Sequence, residues 1–543
     1  MGAGGGTVAQ LGRHRYDAVN RDLALDAARS RRRPYDIVVI GGGATGAGIA
    51  LDAASRKLDV LLLEARDFGS GTSSRSTKII HGGVRYLAQG RVGLVREALR
   101  ERAFLLRNAA HLVRPLAFVV PVASAWEQVK YFVGLHAYDA LAGSKRMRAC
   151  SWLGHGELAR EVAGLDTTRL NGAMRYFDGQ FDDARLLINI LDTAAAMGAN
   201  VINYAEVVEF GKDASGQLRA VTFRDAETRL THEIEARIVI NATGAASDTV
   251  LSLDDSTHTP MIMPSQGAHI VVAAGFLPGE NALLLPRTPD GRIMFAIPWL
   301  DHVLIGTTDT ALPGNAAEPT PLPQEIDMIL DVAGRYLKRA PTRADVLATF
   351  AGVRPLVRSH AGASTAQASR EHRIEVFPSG LISITGGKWT TYRLMAEQCV
   401  DIAATRAGWP VDPSATTTLR LRACPDDDTM IDRGNVYGRD ADDVAALSAS
   451  GGNGSAGRLH AALPYGTGEC LWAIRHEMAR RIDDVLARRT RALFLDARAA
   501  VAMAPLVAEL LRKELQLDDA RVKQQLDEFT ELAAGYQCNA PPR

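Results

Sequence analysis

Three features of the 543-residue sequence predict an α/β fold, α+β over the whole chain. A glycine-rich turn joins an apolar strand to a helix near the start. Two further strand-to-glycine transitions come much later. A block of short β-patterned segments lies among them. Together they predict a split Rossmann-like dinucleotide-binding fold, an inserted antiparallel-sheet substrate domain and a C-terminal helical domain.

The first element is "IVVIGGGATGAG". Residues 37–40 are apolar and β-branched, as expected of a buried parallel strand. Gly41, Gly43 and Gly46 then give G-x-G-x-x-G at a helix start. The first glycine permits the turn, the second lets backbone approach a pyrophosphate, and the third lets helix and strand pack closely. The helix N-terminus offers unpaired N–H groups to phosphate. "DVLLLE" is the next strand, and its closing Glu64 can accept hydrogen bonds from a ribose diol. A carboxylate there argues against a 2′-phosphate, and so against NADP, but does not separate NAD from FAD.

A polar Gly/Ser-rich loop, "RDFGSGTSSRSTKIIHGGVRYL", follows, then a helical pattern. From Asp182 the order is helix, glycine turn and strands, ending at Asn241-Ala-Thr-Gly244. Residues 260–352 read as short strands with Pro/Gly turns. "GLISITGGKWTTYR" then places Gly386 and Gly387 before another helix, and the chain ends in an Ala/Leu-rich charged region. An NAD domain usually completes its sheet in one block. A sheet split by insertions favours FAD, by analogy of architecture.

Lys+Arg and Asp+Glu each number 62, so no global charge recruits nucleic acid. No apolar run is long enough to span a bilayer. The five cysteines are far apart and form no C-x-x-C, which argues against a structural metal site or a disulfide framework and suits a reducing compartment such as the cytoplasm. Residues 1–33 read as a frayed extension with one helix, led by the low-complexity "MGAGGG".

The motifs "DIVVIGGGATGAGIALDAASR", "LLLEARDFGSGTSSRSTKIIHGGVRYL", "DDARLL", "VINATG", "GAHIVV", "IPWLDHVLIGTTDT", "FAGVRPLV" and "TGGKWTTYR" resemble the FAD-dependent glycerol-3-phosphate dehydrogenases of bacterial and mitochondrial type. The resemblance covers nearly everything after Pro34. It implies a non-covalent FAD, oxidation of sn-glycerol 3-phosphate to dihydroxyacetone phosphate, and a quinone as electron acceptor. It also implies peripheral attachment to the inner face of the cytoplasmic membrane; a homodimer is a further expectation. Its FAD-binding segments would be 34–115, 170–255 and 360–410, with substrate-binding insertions at 116–169 and 256–359 and the helical domain at 411–543. Arg354 and His269 are the expected catalytic groups, with Arg85, Tyr86, Arg370 and Lys388 around the substrate. For the flavin, Gly41, Gly43, Gly46 and Glu64 are joined by Thr72, Ser73, Ser74, Lys78, His81 and Gly82 from the polar loop, and by Gly244, Gly386 and Gly387.

Residue chemistry supports the substrate class. Oxidising a secondary alcohol needs help for the departing hydroxyl proton or the developing oxyanion. A phosphate needs several fixed cations. An amino-acid oxidase on the same fold needs a single carboxylate-binding Arg, and a flavin-binding sensor needs none. A glycerol-3-phosphate oxidase using oxygen would share the whole substrate site. The segment "RHEMARRIDDVLARRTRALF" could touch anionic lipid, but a solvated helix carrying an Asp484–Arg488 pair is the favoured reading. "GTTDT", with Asp309, is expected to be a turn supporting the substrate sheet.

Overall fold

The computed structural model describes residues 20–87, 90–286, 288, 291–314, 318–358, 371–426, 435–450 and 457–538. "MGAGGG" and Arg370 lie outside the described residues, and nothing of Arg85 beyond its backbone is described.

The first sheet is parallel at its centre. Tyr35–Ile40 lies between Val60–Leu63 and Thr231–Asn241, with Asn200–Ile202 beyond the former and Ile382–Thr385 beyond the latter. Arg373–Val376 closes one edge antiparallel, and the hairpin of Ala205–Lys212 and Leu218–Asp225 extends from Thr231–Asn241. Three stretches distant in sequence therefore build one sheet. Helix Ala44–Ser55 packs against helices Asp183–Ala196 and Tyr392–Ala407. Gly46 makes its start possible, because a Cβ there would collide with the Gly41 carbonyl oxygen.

The second sheet is larger than residues 260–352 alone predict. Ile262–Ala273, His302–Gly306, Met294–Trp299 and Ala282–Leu285 run antiparallel in that order, and Val346–Val357 pairs with the first of them. Val113–Val122 then joins Ala282–Leu285 in parallel and carries Gly172–Phe181 and Ile79–Ile80 beyond it. The sheet is thus mixed, with strands from before the β-rich block. Prolines at 115 and 121 mask Val113–Val122 as a strand in the sequence.

The N-terminal extension is docked where described. Helix Arg21–Arg29 is capped by the Asn20 side chain and buries Ala24, Leu25 and Ala28. Arg21 is 3% exposed and pairs with Asp225 at 2.5 Å.

After residue 457 come helices Thr467–His476, Ala497–Leu515 and Asp519–Ala534, with a π-helical turn at Asp484–Arg489. The Asp484–Arg488 pair exists at 2.6 Å, but it is buried rather than solvated. Arg488, Arg489 and Arg491 are all buried, so these three cations of the segment face neither water nor lipid. Beyond local partners such as Asp483 and Asp484 beside Arg488, these cations reach carboxylates in the first half of the chain. Arg489 forks onto Asp67 at 2.6 and 2.9 Å, Arg488 also pairs with Asp67, and Arg491 reaches Asp183 at 3.0 Å. All five cysteines are buried and free. Among the described residues no helix is long and apolar enough to cross a membrane, and no group of side chains suits a metal ion.

Candidate active site

A cavity of about 390 Å³ opens where the two sheets meet. One wall is the first glycine turn. Gly41 has φ +108°, and a Cβ there would meet the Ala242 carbonyl oxygen at 2.7 Å. Gly43 is the N-cap of helix Ala44–Ser55, makes no side-chain cap, and leaves the first helical turn free of acid. A helix start whose N-cap residue has no side chain, facing a glycine-lined cavity, suits a pyrophosphate. Glu64 lines the same cavity. Its two oxygens accept the N–H groups of Gly42 at 2.6 Å and Arg66 at 2.9 Å. Burial raises its pKa, and those two hydrogen bonds pull it back.

Thr72 and Ser73 form the opposite rim on a short 3₁₀ turn. The Thr72 hydroxyl donates to the Val353 carbonyl at 2.5 Å, and Ser73 Oγ accepts from Ala44 N–H at 2.9 Å. Trp389 Nε1 donates to the Ser73 carbonyl at 2.9 Å. Gly244, Gly386 and Gly387 complete the walls, the last two at φ +74° and +81°. The donor set and the glycine cradle fit a dinucleotide.

Lys388 also lines the cavity, and its Nζ lies 3.9 Å from the centre of the Tyr86 ring. Arg354 sits between Val353 and Pro355, which are both lining residues. Its guanidinium donates to the Thr308 carbonyl and to Thr307 Oγ1, each at 3.1 Å, with Asp309 at 3.6 Å. Gly267 makes room for it, since a Cβ there would strike the guanidinium. Asp309 is held in turn by Arg292 at 2.5 Å and by the Ser265 hydroxyl.

Two family models match this chain. One, described as FAD dependent oxidoreductase, spans residues 36–393. The other, described as the C-terminal domain of alpha-glycerophosphate oxidase, spans residues 425–522. The mitochondrial glycerol-3-phosphate dehydrogenase of Macaca fascicularis is 39% identical over 93% of this chain and 74% of that protein. That of Arabidopsis thaliana is 38% identical over 96% and 89%. The chain belongs to the FAD-dependent glycerol-3-phosphate dehydrogenase family. A glycerol-3-phosphate dehydrogenase from Bacillus halodurans, solved in complex with FAD, matches with a TM-score of 0.79 at 29% identity, covering 97% of this chain and 99% of that one.

In this member of the family, several expected flavin contacts stand behind the cavity wall. Gly46 is a packing glycine, as argued for the fold. Lys78 is corrected outright. It is fully buried, its Nζ lies 2.7 Å from Asp183 and 2.8 Å from the Ser74 carbonyl, and three aromatic rings surround it. Burial and the neighbouring Arg491 lower its pKa to about 7 against the pull of Asp183. Ser74 is buried, and its carbonyl is shared by Lys78 and Arg491. Gly82 N–H donates to Tyr138 Oη at 2.8 Å and to Asp178 at 3.3 Å, while His81 is tied to Thr390 through its backbone. These residues brace the loop rather than line the cavity.

His269 differs from its expected place too. It is 2% exposed, its ring stacks on Phe350 at 4.8 Å, and its Nε2 lies 3.0 Å from Thr77 Oγ1. Nδ1 is buried without a hydrogen-bond partner among the described residues. Burial, then Lys78 and Arg354, hold its pKa well below 6.5, so the ring is neutral. It supports the Thr77 loop and does not line the cavity. Asp309 is more than a turn residue, because it anchors Arg354. Thr77 and Asp183 carried no individual signal in the sequence.

Proposed function

We propose that the chain oxidises sn-glycerol 3-phosphate to dihydroxyacetone phosphate. The observation that carries this reading is Arg354, fixed by Thr307, Thr308 and Asp309 in a strand whose flanking residues line the cofactor cavity. FAD bound in this cavity would supply a two-electron acceptor for the C2 hydride and a route for those electrons to a quinone. Gly41, Gly43, Glu64, Thr72, Ser73, Gly244, Gly386 and Gly387 would hold the FAD. Arg354 stabilises the charge that develops on the C2 oxygen as the hydroxyl proton leaves. Lys388 binds the phosphate beside Tyr86, helped by Arg85 and Arg370. His269 stays neutral and orients the loop through Thr77. The protein acts as a peripheral enzyme on the inner face of the cytoplasmic membrane.

The test is the visible spectrum of the purified holoprotein without oxygen. Glycerol 3-phosphate should bleach the flavin bands, and glycine or D-alanine should not. Bleaching by glycine or D-alanine would instead favour the amino-acid oxidase reading. Arg354→Ala should slow bleaching by about 10²-fold or more with flavin still bound. Unchanged bleaching in that variant would remove Arg354 from the chemistry. Turnover with a water-soluble quinone but not with oxygen alone would separate dehydrogenase from oxidase.

A further inference from the structure

Helix Ala125–Ala142 carries apolar residues on both its buried and its exposed side. Its inner face buries Leu135, Tyr138, Asp139 and Ala142. Its outer face presents Trp126 at 75% exposure, Val129 at 55%, Phe132 at 48% and Val133 at 62%. With Ala137 and Ala140, also exposed, these residues recur at helical spacing on one side. The polar residues on that side are Lys130 and His136. A soluble protein rarely leaves such a contiguous apolar face bare.

The charge around the face is one-sided. Lys130, Lys145, Arg146 and Arg148 are exposed on the helix and the segment after it. The two acids of residues 125–148 are turned to other tasks. Glu127 accepts the Ala123 N–H at 2.9 Å, and Asp139 is buried and accepts the Cys150 N–H at 2.7 Å. An apolar strip carrying Trp and Phe, flanked by cations without exposed acids, matches the interface of an anionic bilayer. A second copy of the chain is disfavoured, because a two-fold contact would bring the same cations together.

The inner face of this helix reaches the candidate site. Tyr138 Oη accepts the Gly82 N–H at 2.8 Å and donates to Asp178 at 2.9 Å. The helix also packs on Val84–Leu87, which carries Tyr86. We infer that helix Ala125–Ala142 docks the protein on an anionic lipid surface through Trp126, Val129, Phe132 and Val133, next to the loop that borders the flavin site. The inference rests on the reading that electrons leave to a membrane quinone.

The test uses the full-length holoprotein and vesicles of phosphatidylcholine with or without phosphatidylglycerol. The parent should sediment with the phosphatidylglycerol vesicles and far less with phosphatidylcholine alone. Lys145→Glu/Arg146→Glu should weaken partition on the order of thirtyfold or more, from two lost cations. Trp126→Ser/Phe132→Ser should weaken it by about tenfold or more through lost apolar burial. Both variants should keep the parent's rate of glycerol 3-phosphate oxidation with a water-soluble dye. A parent that ignores the vesicles, or variants that sediment like the parent, would overturn the inference. So would a Trp126→Ser/Phe132→Ser variant that loses only self-association, since the face would then join two copies. Vesicle binding without bleaching by glycerol 3-phosphate would sink the functional reading and leave the docking surface in place.

Discussion

Asp183→Asn tests the tie that fixes the cofactor loop. Asp183 is fully buried and accepts from Lys78 Nζ at 2.7 Å, Ser76 Oγ at 2.7 Å and Arg491 at 3.0 Å. The amide keeps the shape but removes the carboxylate that pairs directly with Lys78. Part of the loss is independent of pH. It should be about 1.5–3 kcal/mol, the worth of a hydrogen bond to a charged group. The rest depends on Lys78. Its folded pKa of about 7 lies below its ordinary 10.5, and without Asp183 it falls further. Above pH 7 the amine is neutral in both folded proteins, so the gap between them is constant. Below pH 7 the parent takes up a proton and the variant does not, while both unfolded chains keep theirs. The variant therefore loses stability as pH falls, by up to about 1.4 kcal/mol per unit relative to the parent. Urea unfolding of both holoproteins at a series of pH values on either side of 7 reads this directly. A gap that stays flat below pH 7, or narrows, would refute the protonation argument. An unchanged midpoint at every pH would refute the ion pair as a structural tie.

Three further outcomes follow from the same contacts. Asp309→Asn weakens the anchor of Arg354 without touching the cavity walls, so kcat should fall about tenfold with flavin content unchanged; an unaltered kcat would mean that Thr307 and Thr308 suffice. His269 is neutral when folded but has an ordinary pKa of 6.5 when unfolded. The unfolded chain therefore binds the extra proton as pH falls through about 6.5, and the parent should lose stability relative to His269→Asn by up to about 1.4 kcal/mol per unit below that value; parallel stability curves would contradict it. Asp67→Leu should destabilise by roughly 3–5 kcal/mol because it leaves Arg488 and Arg489 buried beside an apolar side chain, and adding Arg489→Met should recover part of that loss; strict additivity in a double-mutant cycle would deny the coupling.

The parts of this fold set by backbone sterics were legible in the sequence. Gly41 needs its positive φ and sits against the Ala242 carbonyl, so its identity reports the turn. Glu64 follows from strand length, and Gly244 and the pair Gly386–Gly387 follow from strand ends. The fates of the charged groups were not legible. Lys78 and the cations of residues 488–491 look like ordinary solvated charges along the chain. Spacing announced the Asp484–Arg488 pair, but the carboxylates that hold these cations across the fold lie more than a hundred positions away, at Asp183 and Asp67, and no local period announces them. His269 was misplaced for a related reason. A histidine at the head of an apolar strand does not reveal that Thr77 and Phe350 enclose it. The outward-facing apolar side of Ala125–Ala142 was hidden too, since helical spacing alone does not say which side meets the core.

The buried charges also explain why the helical C-terminal region goes with this cofactor site. Burying three guanidinium groups is costly unless carboxylates meet them with good geometry. Asp483 and Asp484 meet Arg488 locally; the carboxylates from the cofactor region are Asp67, three residues beyond Glu64, and Asp183, which holds Ser76 and Lys78. Arg491 donates to the Ser74 carbonyl at 2.8 Å, beside the Thr72 and Ser73 rim of the cavity. The loop between Asp67 and Lys78 is thus clamped at both ends by side chains from residues 488–491, in a stretch rich in Gly and Ser that has little apolar surface of its own to hold it. A buried apolar cluster also joins the C-terminal helices to Val271, Trp299, Leu304, Ala348 and Phe350 of the second sheet, but non-directional packing does not fix the carbonyls and hydroxyls of that loop in register with the helix start at Ala44. Directional, charge-assisted contacts do so, at the expense of making each half depend on the other.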